Sequence, residues 1–244
     1  MSNSIIRDPD LKFLANMSNE EIDPLLDVLL GKDRKGRISS EIDLLPVYQK
    51  FAPDHSKYIP EIVHEFKKYG GSTIANMIRG GNGVPYKEIL CDVCKRLKVN
   101  FNKKQSVVMI EGELLSKVLA DVWEKMPDKD REAAMKDAGI KVHSVGGVSA
   151  TTLIMAFKAG GFKSYQLTLI IINYVWKLIF GKGLTLAINS SISKVLAMLT
   201  GPVGWITTIA WTAFDIASPA YRVTIPGVIY IAGLRRLMQL KDGK

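Results

Sequence analysis

Along the chain, apolar positions recur every three or four residues in short runs, and glycine or proline separates one run from the next. That spacing gathers apolar side chains on one face of a helix. Ser18-Asn19-Glu20-Glu21 has the form of a capping box, in which the Ser18 hydroxyl takes an orphan N–H and Glu21 reaches back. The run behind it carries Ile22, Leu25, Leu26 and Leu29 at helical spacing. Residues 31–37 read as a charged loop. Ser39 or Ser40 is then expected to cap a helix ending near Phe51, before Pro53, and another is expected from about Ser56 to Tyr69, stopped by Gly70-Gly71. Pro85 suits the first position of a helix over 86–98. Residues 107–126 form the clearest amphipathic segment, with Ile110, Leu114, Leu115, Val118 and Val122 on one side. Pro127 ends it, and a short charged helix follows over 128–138, stopped by Gly139.

Beyond Gly146-Gly147 the runs become longer and greasier. Residues 152–157 are apolar, and Gly160-Gly161 breaks them. The segment 165–180 is interrupted within its main apolar run only by Asn173 and Lys177. Gly181-Lys182-Gly183 turns the chain into 184–200, and the two segments predict a hydrophobic helical hairpin over 165–200. Two further apolar segments, 203–217 and 223–240, complete the chain. No alternation of period two is long enough for a sheet, so the expected class is all-α, a multi-helix bundle with the hairpin in its C-terminal half.

Charge divides the chain more sharply than hydropathy does. Residues 143–244 hold ten Lys/Arg and two acidic residues, Asp215 and Asp242, for a net +8 of the total +9. Residues 1–142 are nearly balanced at +1. We therefore expect a charge-balanced helical domain over 1–142 and an apolar, cationic helical domain over 143–244. Such a pairing of grease and positive charge suits a membrane surface, a hydrophobic client or a large helical core. The mean hydropathy of +0.10 is high for a soluble protein and low for a polytopic one.

A spanning helix needs about 20 apolar residues. The segment 165–180 has 16 and contains a lysine. Segment 184–200 is polar on one side, and 195–217 is broken by Gly201-Pro202. A buried core and a segment able to enter a bilayer both stay open, and Lys158, Lys163, Lys177, Lys182 and Lys194 could snorkel towards anionic headgroups. The N-terminus has no signal-peptide pattern, and two cysteines make no disulfide framework. The expected location is cytoplasmic, peripheral to or inserted in the inner membrane.

Candidate chemistry is thin. Cys91-Asp92-Val93-Cys94 supplies two thiols, but inside a helix and on the stripe Leu90–Cys94–Leu97, where core packing is the simpler reading and redox chemistry the alternative. His64-Glu65-Phe66-Lys67-Lys68 begins like a zincin motif, yet lysine stands where the second histidine is required. Residues 80–83 lack the strand and spacing of a dinucleotide loop, and 31–36 lacks a P-loop ending. Three scattered histidines assemble no triad. No catalytic residue, metal site or cofactor is expected. The basic residues Lys87, Lys95, Arg96, Lys98, Lys103 and Lys104 are diluted by carboxylates and read as a solvated face, so nucleic acid is not an expected partner.

More unusual are Gly201-Pro202-Val203-Gly204-Trp205 and Ser218-Pro219-Ala220-Tyr221-Arg222-Val223-Thr224-Ile225-Pro226. Bracketing prolines predict an extended chain at Tyr221-Arg222. Asp215 and Arg222, opposite charges in apolar surroundings, are expected either to pair or to border a contact surface with Trp205 and Tyr221 as amphipathic anchors.

These stretches, with Arg79-Gly80-Gly81-Asn82-Gly83-Val84-Pro85-Tyr86-Lys87-Glu88-Ile89-Leu90-Cys91-Asp92-Val93-Cys94, resemble the YaaW-like family of bacterial proteins, which is distantly grouped with ubiquinol–cytochrome c chaperones. The resemblance implies a helical, non-catalytic assembly or interaction role and carries over no catalytic residue. The reading is a non-enzymatic, chaperone-like or membrane-docking protein. Its expected partner is an anionic membrane surface or a hydrophobic protein client, met through Trp205, Asp215, Tyr221, Arg222, Lys163, Lys177 and Lys182. One alternative releases the hairpin 165–200 into lipid, inserting or forming a pore. The other is a cytosolic redox enzyme using Cys91 and Cys94.

Overall fold

The computed structural model describes residues 6–31, 41–70, 83–137, 148–180 and 220–241, and all regular structure among them is helical. Nine α-helices occur among these residues: α1 (Asn19–Leu30), α2 (Pro46–Phe51), α3 (Ile59–Lys68), α4 (Tyr86–Arg96), α5 (Val107–Lys125), α6 (Asp128–Asp137), α7 (Ala150–Lys158), α8 (Gly161–Phe180) and α9 (Tyr221–Lys241). Two compact units emerge. The first comprises Met1–Lys98 with Asp215–Val228, the second Val99–Phe214 with Ile229–Lys244, so α9 contributes residues to each.

In the first unit, local rules set the helix ends and long-range polar contacts fasten them. The capping box at Ser18 and Glu21 is complete, and α1 stops at Gly31, whose φ of 61° closes the last turn. Ile22, Leu25, Leu26 and Leu29 are all buried, as their spacing predicts. Asp8 does two jobs. One carboxylate oxygen caps the first 3₁₀ turn by accepting from the Asp10 N–H, and the other accepts from the Tyr86 N–H at 2.8 Å, where α4 begins. Lys67 lies 3.4 Å from that second oxygen. A charged group can stay buried here because each face of it has a donor.

Two expectations are corrected. The helix expected to run unbroken to Phe51 is instead a 3₁₀ turn, Ile42–Leu44, followed by α2. Leu45 between them is extended (φ −69°, ψ 132°), because the ring of Pro46 clashes with a helical residue in front of it. Tyr221-Arg222 is not extended either, being the first turn of α9. A proline restrains only the residue immediately before it, and Pro226 is accommodated within α9.

The second unit is built around α8. From Ser164 to Trp176 every residue of this helix is buried, so its polar members need internal partners. Thr168 donates its hydroxyl to the Ser164 carbonyl at 2.8 Å, the i−4 bond that lets threonine enter an apolar helix. The stripe Ile110, Leu114, Leu115, Val118 and Val122 of α5 is buried as expected. Trp123 donates its indole N–H to the Val148 carbonyl, and Arg131 donates to the Trp123 and Glu124 carbonyls, covering the end of α5. Gly233 of α9 lies against Ile172, where a Cβ would come within 2.3 Å of its side chain.

The first limb of the expected hairpin is therefore α8, while its second limb, 184–200, lies outside the described residues. Among the described residues no helix is long and apolar enough to cross a membrane.

Candidate functional site

The exposed grease of the second unit collects at one end. Trp123 meets Val148 where α5 finishes and α7 begins, and Lys158 meets Glu113 at 3.1 Å where α7 finishes, so the two helices run antiparallel. Gly160 and Gly161, with φ of 78° and 69°, then turn the chain sharply into α8. The first turns of α5, the last turn of α7 and the first turn of α8 are thereby neighbours. Phe162, Met155, Met109 and Val108 stand there at 71%, 61%, 54% and 42% exposure. A Cβ placed on Gly112, Gly160 or Gly161 would touch nothing within 4 Å, so this end is unroofed.

Charge around it is one-sided. Glu111 is turned inward and bonded to Arg235 at 2.7 Å, with both side chains largely buried. Glu113 is engaged by Lys158. Lys163 is exposed next to Phe162, and Lys103 and Lys104 are exposed in the segment leading into α5. Below the surface, Arg236 donates to the Phe157 carbonyl at 3.2 Å and to the Ser164 hydroxyl at 3.1 Å, its guanidinium lying 5.3 Å from the Phe157 ring. Burial lowers its pKa from the usual arginine value. These contacts tie α9 to the α7–α8 corner beneath the apolar end.

Of the residues singled out in the sequence, Lys163 belongs to this end. Tyr221 lies in the first unit with the Arg96 guanidinium 5.3 Å from its ring, and Arg222 is half-buried beside it. Lys177 falls in α8, but its side chain lies outside the described residues, as do Trp205, Asp215 and Lys182. The Asp215–Arg222 pairing therefore has no description here. Sequence reading passed over Phe162, Met155, Met109 and Val108. Val108 and Met109 left a trace, since they sit off the buried stripe of an amphipathic helix.

The first unit holds the other chemistry. Cys91 and Cys94 are both buried on α4, and neither is in a disulfide. Lys68, standing in place of the zincin histidine, pairs with Glu65 at 3.1 Å. Among the described residues, no group of three or more His, Cys, Asp or Glu side chains could hold a metal ion. The structure does assemble a trio that the sequence did not reveal. His55 Nε2 lies 2.5 Å from Asp23 and Nδ1 lies 2.6 Å from the Tyr58 hydroxyl. In the neutral ring Nε2–H donates to the carboxylate and the phenol donates to Nδ1. His55 and Tyr58 are 2% and 0% exposed, so no substrate reaches the ring or the phenol. Burial, with Tyr48, Asp23 and Asp54 adding to it, pushes the Tyr58 pKa up to about 12, opposite to what a nucleophile requires. This trio fastens α1 to the turn before α3.

The model of a family described as ubiquinol-cytochrome C chaperone matches residues 59–229. A UPF0174 protein of Helicobacter pylori strain J99 is 45% identical over 232 residues, 93% of this chain and 91% of the relative. A second from that strain is 36% identical, covering 83% of this chain and 99% of its own length. The UPF0174 protein YaaW of Escherichia coli K12 is 30% identical over 98% of both chains. No solved structure matches.

Proposed function

The chain belongs to the ubiquinol-cytochrome C chaperone family and to its UPF0174 relatives, and from that premise we propose a non-catalytic, chaperone-like protein of the cytoplasm that holds an apolar partner. The partner rests against the exposed end of the second unit. One observation carries this reading: four large apolar side chains, Val108, Met109, Met155 and Phe162, stand exposed on neighbouring helix ends tied together by Arg236. Leaving such groups exposed together costs solubility, and exposed patches of this kind mark interaction surfaces. A chaperone needs an adaptable apolar surface, which methionine and phenylalanine supply at little geometric cost.

The test uses the full chain, a denatured reporter protein and light scattering. The wild type is expected to delay reporter aggregation. A variant carrying Met109→Ser, Met155→Ser and Phe162→Ser should lose most of that effect while keeping its helical circular dichroism. If the wild type does not hold the reporter at all, the chaperone-like reading falls. If the triple variant holds it as well as the wild type, the surface has been misplaced.

A further inference from the structure

We propose that the partner of this apolar end is the anionic face of a phospholipid bilayer, with Phe162, Met155 and Met109 entering the interface and Lys163, Lys103 and Lys104 meeting phosphates. The inference rests on the second unit's end being the working surface, and it names what that surface meets. Two observations favour lipid over a folded protein.

The most exposed of these side chains is Phe162, at 71%. It sits on the first turn of α8, stacked at 6.4 Å on the Tyr165 ring of the same helix, after two glycines whose surroundings are open. An exposed phenyl group suits a soft, planar partner that closes around it. A rigid protein would need a matching pocket.

The charge is arranged for anions. The two glutamates of this end are both spent, Glu111 on Arg235 and Glu113 on Lys158. Among the described residues no carboxylate pairs with Lys163, and Lys103 and Lys104 add exposed positive charge at the start of α5. The segment 143–244 as a whole carries +8.

Neither signal suffices alone. A few shallow apolar groups bind a bilayer weakly, and so do a few lysines, whereas the two combined give useful adsorption. Binding by a few shallow apolar groups and lysines is peripheral and reversible. Salt should weaken it by screening the lysines.

The experiment is co-sedimentation of the full chain with vesicles of phosphatidylcholine alone or with one third phosphatidylglycerol, at low and high salt. Binding is expected only to the anionic vesicles and should fall as salt rises. Losing one lysine near an anionic surface weakens binding about fivefold. Lys163→Glu should therefore weaken it by more than that, Phe162→Ser should weaken it several-fold, and Lys163→Arg should preserve it. Lys57→Glu, on an exposed lysine of the first unit, changes the net charge equally and should leave binding unaltered. Each variant is checked by circular dichroism.

Absence of binding to anionic vesicles overturns the proposal, as does equal loss from Lys57→Glu and Lys163→Glu, which would mean attraction by net charge alone. Binding that ignores both salt and phosphatidylglycerol overturns it too. Reporter holding that survives without vesicle binding leaves the chaperone-like reading standing and removes only the lipid. In that case capture of a synthetic apolar peptide flanked by glutamates would make a protein segment the occupant.

Discussion

The two units treat polar and apolar groups in opposite ways. In the first, Asp8, Glu65 and His55 are buried, and each has at least one partner distant in sequence: Tyr86 and Lys67 for Asp8, the Glu41 N–H beside nearby Lys68 for Glu65, and Asp23 beside nearby Tyr58 for the His55 ring, whose backbone N–H donates to Asn19. Its large exposed apolar side chains lie on separate elements, Leu44 at the end of a 3₁₀ turn and Phe51 at the end of α2, beneath the Lys50 ammonium at 5.1 Å. In the second unit, polar residues are folded into a greasy helix, an ion pair is sunk beneath one end, and apolar side chains are left standing in water above it. Isolated exposed grease needs no explanation, but grease gathered on a braced end does. The first unit thus looks like a framework held by polar staples, and the second like a framework carrying a contact surface.

The contrast is most exposed to attack at Glu111. Glu111→Ala leaves Arg235 buried without its carboxylate and should cost about 3–5 kcal/mol in urea unfolding. Replacing both residues with methionine should recover most of that loss, because apolar groups of similar volume need no partner there. A cost below about 1 kcal/mol for the single change would mean that the pair beneath the apolar end is solvated.

A smaller effect sharpens the account of the first unit. Tyr58 holds its proton in the folded chain up to about pH 12, against about 10 in the unfolded chain. The stabilisation this represents is complete below about pH 10 and is lost as pH rises through about 12. Phenolate absorbance on alkaline titration should show a late step that disappears in Tyr58→Phe. A Tyr58 that ionises near pH 10, as a free tyrosine does, would show that the staple is open to water.

The smallest expected effect has the opposite sign. Gly112 lies inside α5 with open space where a Cβ would go. Gly112→Ala should raise stability by about 0.5–1 kcal/mol, since alanine restricts the unfolded chain and meets nothing in the folded one. Thermal unfolding measures it. A loss of stability would mean that the end is roofed after all.

Much of the helical layout was readable because it depends on near neighbours. The capping box at Ser18, the stop at Gly31, the stripe of α5, its end before Pro127 and the break at Gly160-Gly161 each involve residues within a few positions of one another. The error at Tyr221-Arg222 came from extending a restraint that acts on one residue to two. The break at Leu45 is a one-residue effect of the Pro46 ring, which the three-and-four spacing of apolar positions does not register. The Cys91–Cys94 spacing predicted buried positions correctly, since a helical stripe says which side faces inward.

By itself, the sequence determined that this chain is helical, where most of its helices start and stop, and that its positive charge is concentrated towards the carboxyl end. All of these follow from short-range sterics, hydrogen bonding and composition. Only the tertiary structure decided which charges are spent and which apolar side chains remain in water. The Asp8–Tyr86 and Glu111–Arg235 contacts join residues 78 and 124 positions apart, and no local pattern encodes such pairings. Phe162 and Met155 became a surface because of how α5, α7 and α8 pack, since exposure belongs to the assembled helices and not to any one of them.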